Sequence, residues 1–211
     1  MRKPGSVDQY IERIKPVVRK TRFSQLKIDE VAKVMDISKA TLYKYFSSGE
    51  DIISTIVDHY TDYMLQADTL VQEDSVPYPE RFQRLYGHSL RCVIYGSNLF
   101  MQDLQENYPP LYDKLAAAQQ VRNKNLTPFY ESGMEKKIFN PMNPILFMIQ
   151  DEAVLRSIVE PLFCVQYDLT LKQALLDFYT LKKFQLLTPE HLQAVDDSII
   201  ENEIVQLLQS L

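Results

Sequence analysis

The residues whose types and spacing suggest chemistry cluster near one end of the chain: Ser38, Lys39, Ala40, Thr41, Tyr43 and Lys44. Two ammonium groups, two hydroxyls and a phenol at helical spacing suit recognition of a polyanion by charge and hydrogen bonding, not bond making. Elsewhere the reactive residue types are dispersed. His59, His88 and His191 have no Cys or carboxylate partners at metal-ligand spacing, so no metal site is expected. Cys92 and Cys164 sit inside apolar stretches and read as reduced core thiols of a cytoplasmic protein, with a disulfide between them as the alternative. The chain carries no P-loop, dinucleotide fingerprint or nucleophile elbow, so neither an enzyme nor a cofactor is indicated. Glu152 and Arg156, four apart, read as an ordinary supporting ion pair.

The elements around the first cluster would have to hold it rigidly. Residues 28 to 47 fit two short helices crossing steeply through a tight turn, a helix-turn-helix, with Val31, Met35, Ile37, Leu42 and Tyr45 inward and the small Ala32 where the helices touch. Asp36 occupies the turn position that Gly usually takes, which requires a left-handed backbone. Ser38 is placed to cap the second helix. That helix then shows Lys39, Ala40, Tyr43 and Lys44 outward, with Thr41 near its first turn. A helix of this width enters the major groove of duplex DNA. Lys33 reads as a solvating residue, and exposed Tyr43 as a contact, because Leu42 and Tyr45 already fill the inward positions.

Charge is divided accordingly. The 211 residues carry a formal net charge of -5, but residues 1 to 50 hold eleven Lys or Arg against six Asp or Glu, leaving twelve against twenty-two in the remainder. A basic N-terminal module on an acidic body points to a polyanion at one end only. At 45% hydrophobic residues the chain can bury a core and is too apolar for a disordered one. Its apolar runs are too short to span a membrane, and its basic start leads into Asp8 and Glu12 instead of a secretory signal.

Helical periodicity dominates, so the expected fold class is all-α: an N-terminal three-helix helix-turn-helix domain over 1–50 and a larger helical domain over 51–211. Ser48 should cap a long linking helix from about residue 49 to Leu70, with Glu50 and Asp51 at its positive end. A second long helix is expected from Glu80 to Asn107, and a third from Leu111 to Met134, with Pro128 an internal break or kink and Gly133 a terminator. A buried helix over 145 to 165, bent or ended by Pro161, should follow the Asn140–Pro144 turn. Thr170 opens a helix to Leu187, and Thr188-Pro189 opens a last one with Leu192, Val195, Ile199, Ile204, Leu207, Leu208 and Leu211 on one face.

The run Val31-Ala32 and then Ile37 through Phe46 resembles the DNA-binding signature of the TetR family of transcriptional regulators over about fifty residues. The resemblance implies Thr41 and Tyr43 on phosphates or bases, Lys39, Ala40 and Lys44 at the groove, and Phe46 in the core beneath the fourth helix. Several positions depart from the family. Gly49 stands where a phosphate-anchoring Lys is common, leaving Ser48 and backbone N–H groups to serve. Lys27 replaces a hydroxyl cap, Arg22 a Gly, and Pro16 falls inside the first helix, where it should kink or end it.

The resemblance further implies a homodimer that binds a palindromic double-stranded DNA operator, usually as a repressor. The helices over 145–165 and 170–187 would pair with their symmetry mates, with 189–211 extending that interface or capping the body. It also implies a pocket for an unidentified small, largely apolar effector. Candidate liners are Tyr60, Tyr63, Met64, His88, Cys92, Tyr95, Phe147, Met148, Asp151 and Leu155, core packing being the simpler reading for each. Gly87 and Gly96 mark either close helix approach or a cavity wall. Two other functions fit the same residues: a DNA-bound architectural or cell-cycle protein without an effector, and an all-α hydrophobe-binding protein without DNA.

Overall fold

The computed structural model describes residues 6–193 and 195–209. Among them every regular element is helical, apart from one isolated antiparallel bridge between Phe139 and Leu187. Among the described residues no helix is long and apolar enough to cross a membrane. The helices are α1 Val7–Val18, α2 Ile28–Val34, α3 Lys39–Tyr45, α4 Gly49–Leu65, α5 Ala67–Val71, α6 Tyr78–Tyr95, α7 Asn98–Asn107, α8 Pro109–Glu135, α9 Pro144–Ile158, α10 Pro161–Tyr167, α11 Leu171–Leu186, α12 Pro189–Leu192 and α13 Ser198–Gln209. The chain folds as two compact units. One comprises the chain up to Asp62 with Tyr95–Ala117; the other comprises Tyr63–Ile94 with the chain from Ala118 onward.

In the first unit the inward faces of α1, α2, α3 and α4 share a core of Ile11, Ile14, Val31, Met35, Leu42, Ile53 and Ile56, to which α7 adds Phe100 and Leu104. Each such side chain contributes about 1.5–3 kcal/mol when buried. The expected break at Pro16 is absent: α1 passes through it and ends at Val18. Pro16 falls in the last turn, where its missing N–H costs one bond, and the buried Ile14 and Val18 on either side hold that turn in place. In the second unit α6, α8, α9, α11 and α13 surround a second core, rich in aromatic rings such as Phe82, Tyr86, Phe129, Tyr130, Phe147 and Tyr179.

Several expected helices prove to be two. The linking helix stops at Leu65 and resumes as α5, because the N–H of Gln66 bonds Tyr63 O, three residues back, and the Thr69 hydroxyl donates to Gln66 O. The helix expected from Glu80 to Asn107 divides at Gly96-Ser97, where Ser97 Oγ accepts from Phe100 N at 3.2 Å and caps α7. Pro161 opens α10, separating it from α9. The last segment divides into α12 and α13: Asp196 Oδ1 accepts from Ser198 N, and the inward residues become Ile200, Ile204 and Leu207, leaving Ile199 exposed. Leu211 lies outside the described residues. Thr188 does not cap α12; its hydroxyl donates to Lys137 O.

α8 is neither broken at Pro128 nor ended by Gly133. Its left-handed terminal residue is Lys137, with φ 58°, and the N–H groups of Ile138 and Phe139 return to Gly133 O. Gly133 is a packing glycine: a Cβ there would stand 2.1 Å from the Phe139 ring. Gly87 is likewise a close-approach position, since a Cβ would stand 2.1 Å from Glu203 Oε1.

Candidate functional site

The helix-turn-helix is built as its residue pattern predicts. α2 ends at Met35, Asp36 adopts φ 56°, and Ile37 N–H reaches back to Ala32 O at 3.0 Å. Ser38 Oγ then accepts Thr41 N–H at 3.0 Å, so α3 begins with its first-turn donor satisfied. Leu42 and Phe46 are buried, and Tyr45 packs on Tyr10 of α1 with ring centroids 5.3 Å apart. The residues thus anchored from behind leave Ala40, Tyr43 and Lys44 facing solvent, Tyr43 at 51% exposure.

The turn has a clamp that sequence reasoning missed. Arg13 of α1 donates from Nη1 to Met35 O at 2.6 Å and lies 3.7 Å from the Asp36 carboxylate. It ties the carbonyl at the end of α2 and the charge of the strained turn to α1. Nothing in its spacing marks it, because the partner is a backbone oxygen 22 residues away. Arg22, noted as a departure from the family pattern, pairs with Glu106 of α7, a contact that raises the guanidinium pKa and lowers that of the carboxyl. Beside it the Ser24 N–H donates to Asp103 Oδ2 at 3.1 Å, and Asn107 donates to Asp103 Oδ1 at 3.0 Å.

The remaining basic and hydroxyl candidates are partly engaged. Lys39 Nζ is 3.0 Å from Asp29 Oδ1 of α2, and that contact raises its pKa. Such an exposed pair is worth little and can exchange for a phosphate. Thr41 is half-buried, its hydroxyl 2.8 Å from Ser38 Oγ. Lys27 occupies the cap position of α2 without a side-chain cap; its N–H donates to Glu30 Oε2 at 2.7 Å. Ser48 caps α4 by accepting Asp51 N–H at 3.1 Å, while Ser47 N–H donates to Asp51 Oδ2. A Cβ at Gly49 would meet only ordinary contacts at 3.9 and 4.0 Å, so sterics do not require the glycine.

The candidate ligand residues fall into separate groups. In the first unit, buried Tyr60 stacks with half-buried Tyr95 at 6.5 Å and packs edge-on to Phe100; its hydroxyl has no partner among the described residues, and burial pushes its pKa up. In the second, Tyr63 stacks on His88 at 4.5 Å, and His88 Nε2 donates to Tyr63 O at 2.8 Å. With Nε2 protonated, Nδ1 is the acceptor facing Cys92 Sγ at 3.7 Å. Burial brings the His88 pKa down to about 4 and pushes the Cys92 thiol up to about 11. Met64 is half-buried. Phe147, Met148, Asp151 and Leu155 line the buried face of α9.

Asp151 is an internal ion-pair residue. Lys182 Nζ sits 3.0 Å from its Oδ1, donates to Phe147 O and Gln150 Oε1, and lies 3.2 Å from the centre of the Phe147 ring. Burial raises the Asp151 pKa to about 6 even though Lys182 opposes the shift, and burial lowers that of Lys182. An open cleft of about 300 Å³ lies elsewhere in this unit, lined by Tyr63, Gln66, Thr69, Leu70, Arg84, His88, Arg91 and Glu203. Only Tyr63 and His88 of the sequence candidates reach it. Arg84 and Arg91 share a face of α6 with His88 at offsets of four and three residues, a signal present in the sequence but not used.

No family model matches the sequence, and no curated protein matches it. Solved structures do. A protein from Saccharomonospora viridis described as a transcriptional regulator, in complex with choline, aligns with a TM-score of 0.69 at 12% identity, covering 86% of this chain and 97% of that one. A Rhodococcus protein described as a TetR-family regulator aligns at 0.64 and 12%, covering 84% and 97%. The ketosteroid transcriptional regulator KstR2 of Mycobacterium tuberculosis aligns at 0.62 and 15%, covering 88% and 97%. The chain therefore has the fold of TetR-family transcriptional regulators, all-α with an N-terminal helix-turn-helix.

The neutral, buried imidazole has a pH consequence. An unfolded chain protonates His88 below its ordinary value of 6.5, while the folded chain resists until about 4, so native stability falls as pH drops through that window and is complete above it. His88→Phe preserves the stack on Tyr63 and removes this titration. Urea unfolding from pH 7 to 4 should show the variant gaining on the wild type by about 3 kcal/mol across the window; parallel pH profiles would contradict a buried neutral His88.

Proposed function

We propose that this chain is a TetR-family transcriptional regulator that binds double-stranded DNA as a homodimer and responds to a small effector held in its helical body. One observation carries the reading: a short helix, capped by Ser38 and anchored from behind by Leu42, Phe46 and the Tyr10–Tyr45 contact, presents Ala40, Tyr43 and Lys44 to solvent. Residues at the start of such a helix reach base edges, while Lys44, Thr41, Lys27 and Ser48 suit phosphates. Lys39 reaches either by releasing Asp29. Occupying an operator in this way excludes other proteins from it, which makes repression in the cytoplasm the natural outcome.

Dimerisation is supported by apolar side chains that the described residues leave uncovered. Leu146 and Ile149 of α9, Leu162 and Val165 of α10, and Leu181 and Phe184 of α11 are all exposed, Leu162 and Val165 to 76% and 79%. Exposed apolar side chains gathered on helices that touch one another, α9 with α10 and α11, suit an interface. An isologous pairing of α9 and α11 with their symmetry mates would cover them and set two copies of α3 about 34–36 Å apart, one turn of DNA.

Effector response rests on the fold relatives and on connectivity. The regulator from Saccharomonospora viridis was solved with choline, and KstR2 is named for ketosteroids. Here α4 belongs to the DNA-reading unit as far as Asp62 and its last residues, Tyr63 to Leu65, to the other unit, and this continuity makes it the element an effector would shift. A coupling of about 1–3 kcal/mol changes DNA affinity about 5- to 150-fold.

Two measurements test these assignments. In a mobility-shift titration on the DNA preceding its own gene, the protein should bind with strong salt dependence, and Lys44→Ala should weaken binding and reduce the log-log salt slope by about 1. A wild type without a shift at low salt would remove the transcriptional reading, and an unchanged slope would take Lys44 off the phosphates. Mass measurement in solution should give a dimer for the wild type and a monomer for Phe184→Glu; a monomeric wild type would rule out the paired-operator arrangement.

A further inference from the structure

The cations beside α8 and α9 are unequally served. Lys182 has Asp151 at 3.0 Å, and Arg156 has Glu152 at 3.0 Å. Arg122 of α8, only 5% exposed, forms no ion pair among the described residues. Its Nη2 donates to Ser89 Oγ at 2.5 Å, and its Nε–H has no acceptor among the described residues. A guanidinium cannot escape burial by losing its proton as a lysine can. A buried cation with one neutral acceptor and an idle donor destabilises the fold that holds it, unless a counter-charge arrives.

The surroundings define that counter-charge. Both α9 carboxylates nearby are claimed by other cations, so the cluster of Arg122, Lys182 and Arg156 against Asp151 and Glu152 carries one positive charge in excess. A dianion would overshoot that balance beside two existing carboxylates. Ser89 follows His88 on α6 and Cys92 lies a turn beyond; both side chains are uncharged at neutral pH, and the Arg122 charge is one cause of the low His88 pKa. Tyr130, Phe147, Met148 and Leu155 make the interior around α8 and α9 apolar. The planar guanidinium edge, Nε–H beside a terminal N–H, matches the two oxygens of a carboxylate.

We propose that the interior of the helical body binds a small apolar monocarboxylate, whose head group is the missing partner of Arg122. This deepens the effector-binding part of the proposed function and rests on it. The carboxylate accepts from Nε–H and a terminal N–H of Arg122, while the remainder of the molecule occupies the aromatic and aliphatic interior.

The test compares thermal unfolding of the full chain and of Arg122→Met with octanoate and with uncharged 1-octanol. Octanoate should raise the wild-type midpoint and octanol should not. Arg122→Met should lose the octanoate response, with an affinity loss of at least about tenfold. Without ligand it should melt about 2–4 °C above the wild type, because the unpaired charge is gone. A lower midpoint for Arg122→Met would make Arg122 a structural strut to Ser89 and overturn the proposal, as would a wild type that responds to octanoate no more than to octanol. Mobility shifts run on both proteins separate the two readings: lost DNA binding in the wild type counts against the regulator, whereas the octanoate result speaks to Arg122 alone.

Discussion

A helix of seven residues cannot stand alone in water: nucleation is costly, and isolated helices shorter than about 12–15 residues are marginal. α3 therefore owes its existence to tertiary contacts, and everything proposed for it depends on them. Leu42 and Phe46 bury its inner side, Ser38 closes its first turn, and Tyr45 rests on Tyr10. The turn before it is held in a left-handed conformation at Asp36, with its carbonyl neighbour Met35 fastened by Arg13. All anchors come from one side, which is why the opposite side can be spent on contacts with another molecule.

The helical body faces a different constraint. Its interior is aromatic yet encloses Arg122, Asp151 and Lys182. Asp151 and Lys182 compensate each other, and the carbonyl of Phe147 with the amide of Gln150 completes the lysine's partners. Such a pair adds little net stability compared with apolar residues of the same size, but losing one partner costs about 3–5 kcal/mol. Arg122 already stands in that unpaired condition. Interior charge that does not stabilise the fold is better explained by what the interior holds.

Local features were legible in the sequence because their causes are local. The Asp36 turn, the caps at Ser38, Ser48 and Thr170, and the helix start at Pro161 each follow from a side chain acting on backbone within four residues. Continuity was misjudged where apolar spacing carries on across an interruption: Leu65 to Leu70 and Leu99 to Leu104 keep helical period while Gln66 and Ser97 redirect the chain. Gly133 was misread because its reason is the Phe139 ring, met only after the chain turns back. The contacts of Arg13, Arg22 and Arg122 were hidden for the same reason, since their partners lie 22 to 84 residues away.

The central claim is that the outer face of α3 meets duplex DNA while the apolar face of α9 to α11 meets a second copy of the chain. Photo-crosslinking from p-benzoylphenylalanine placed singly at positions 43 and 165 addresses both faces with one chemistry. The account predicts protein–DNA adducts from position 43 and chain–chain adducts, without DNA, from position 165. DNA adducts from position 165 with none from position 43 would contradict it.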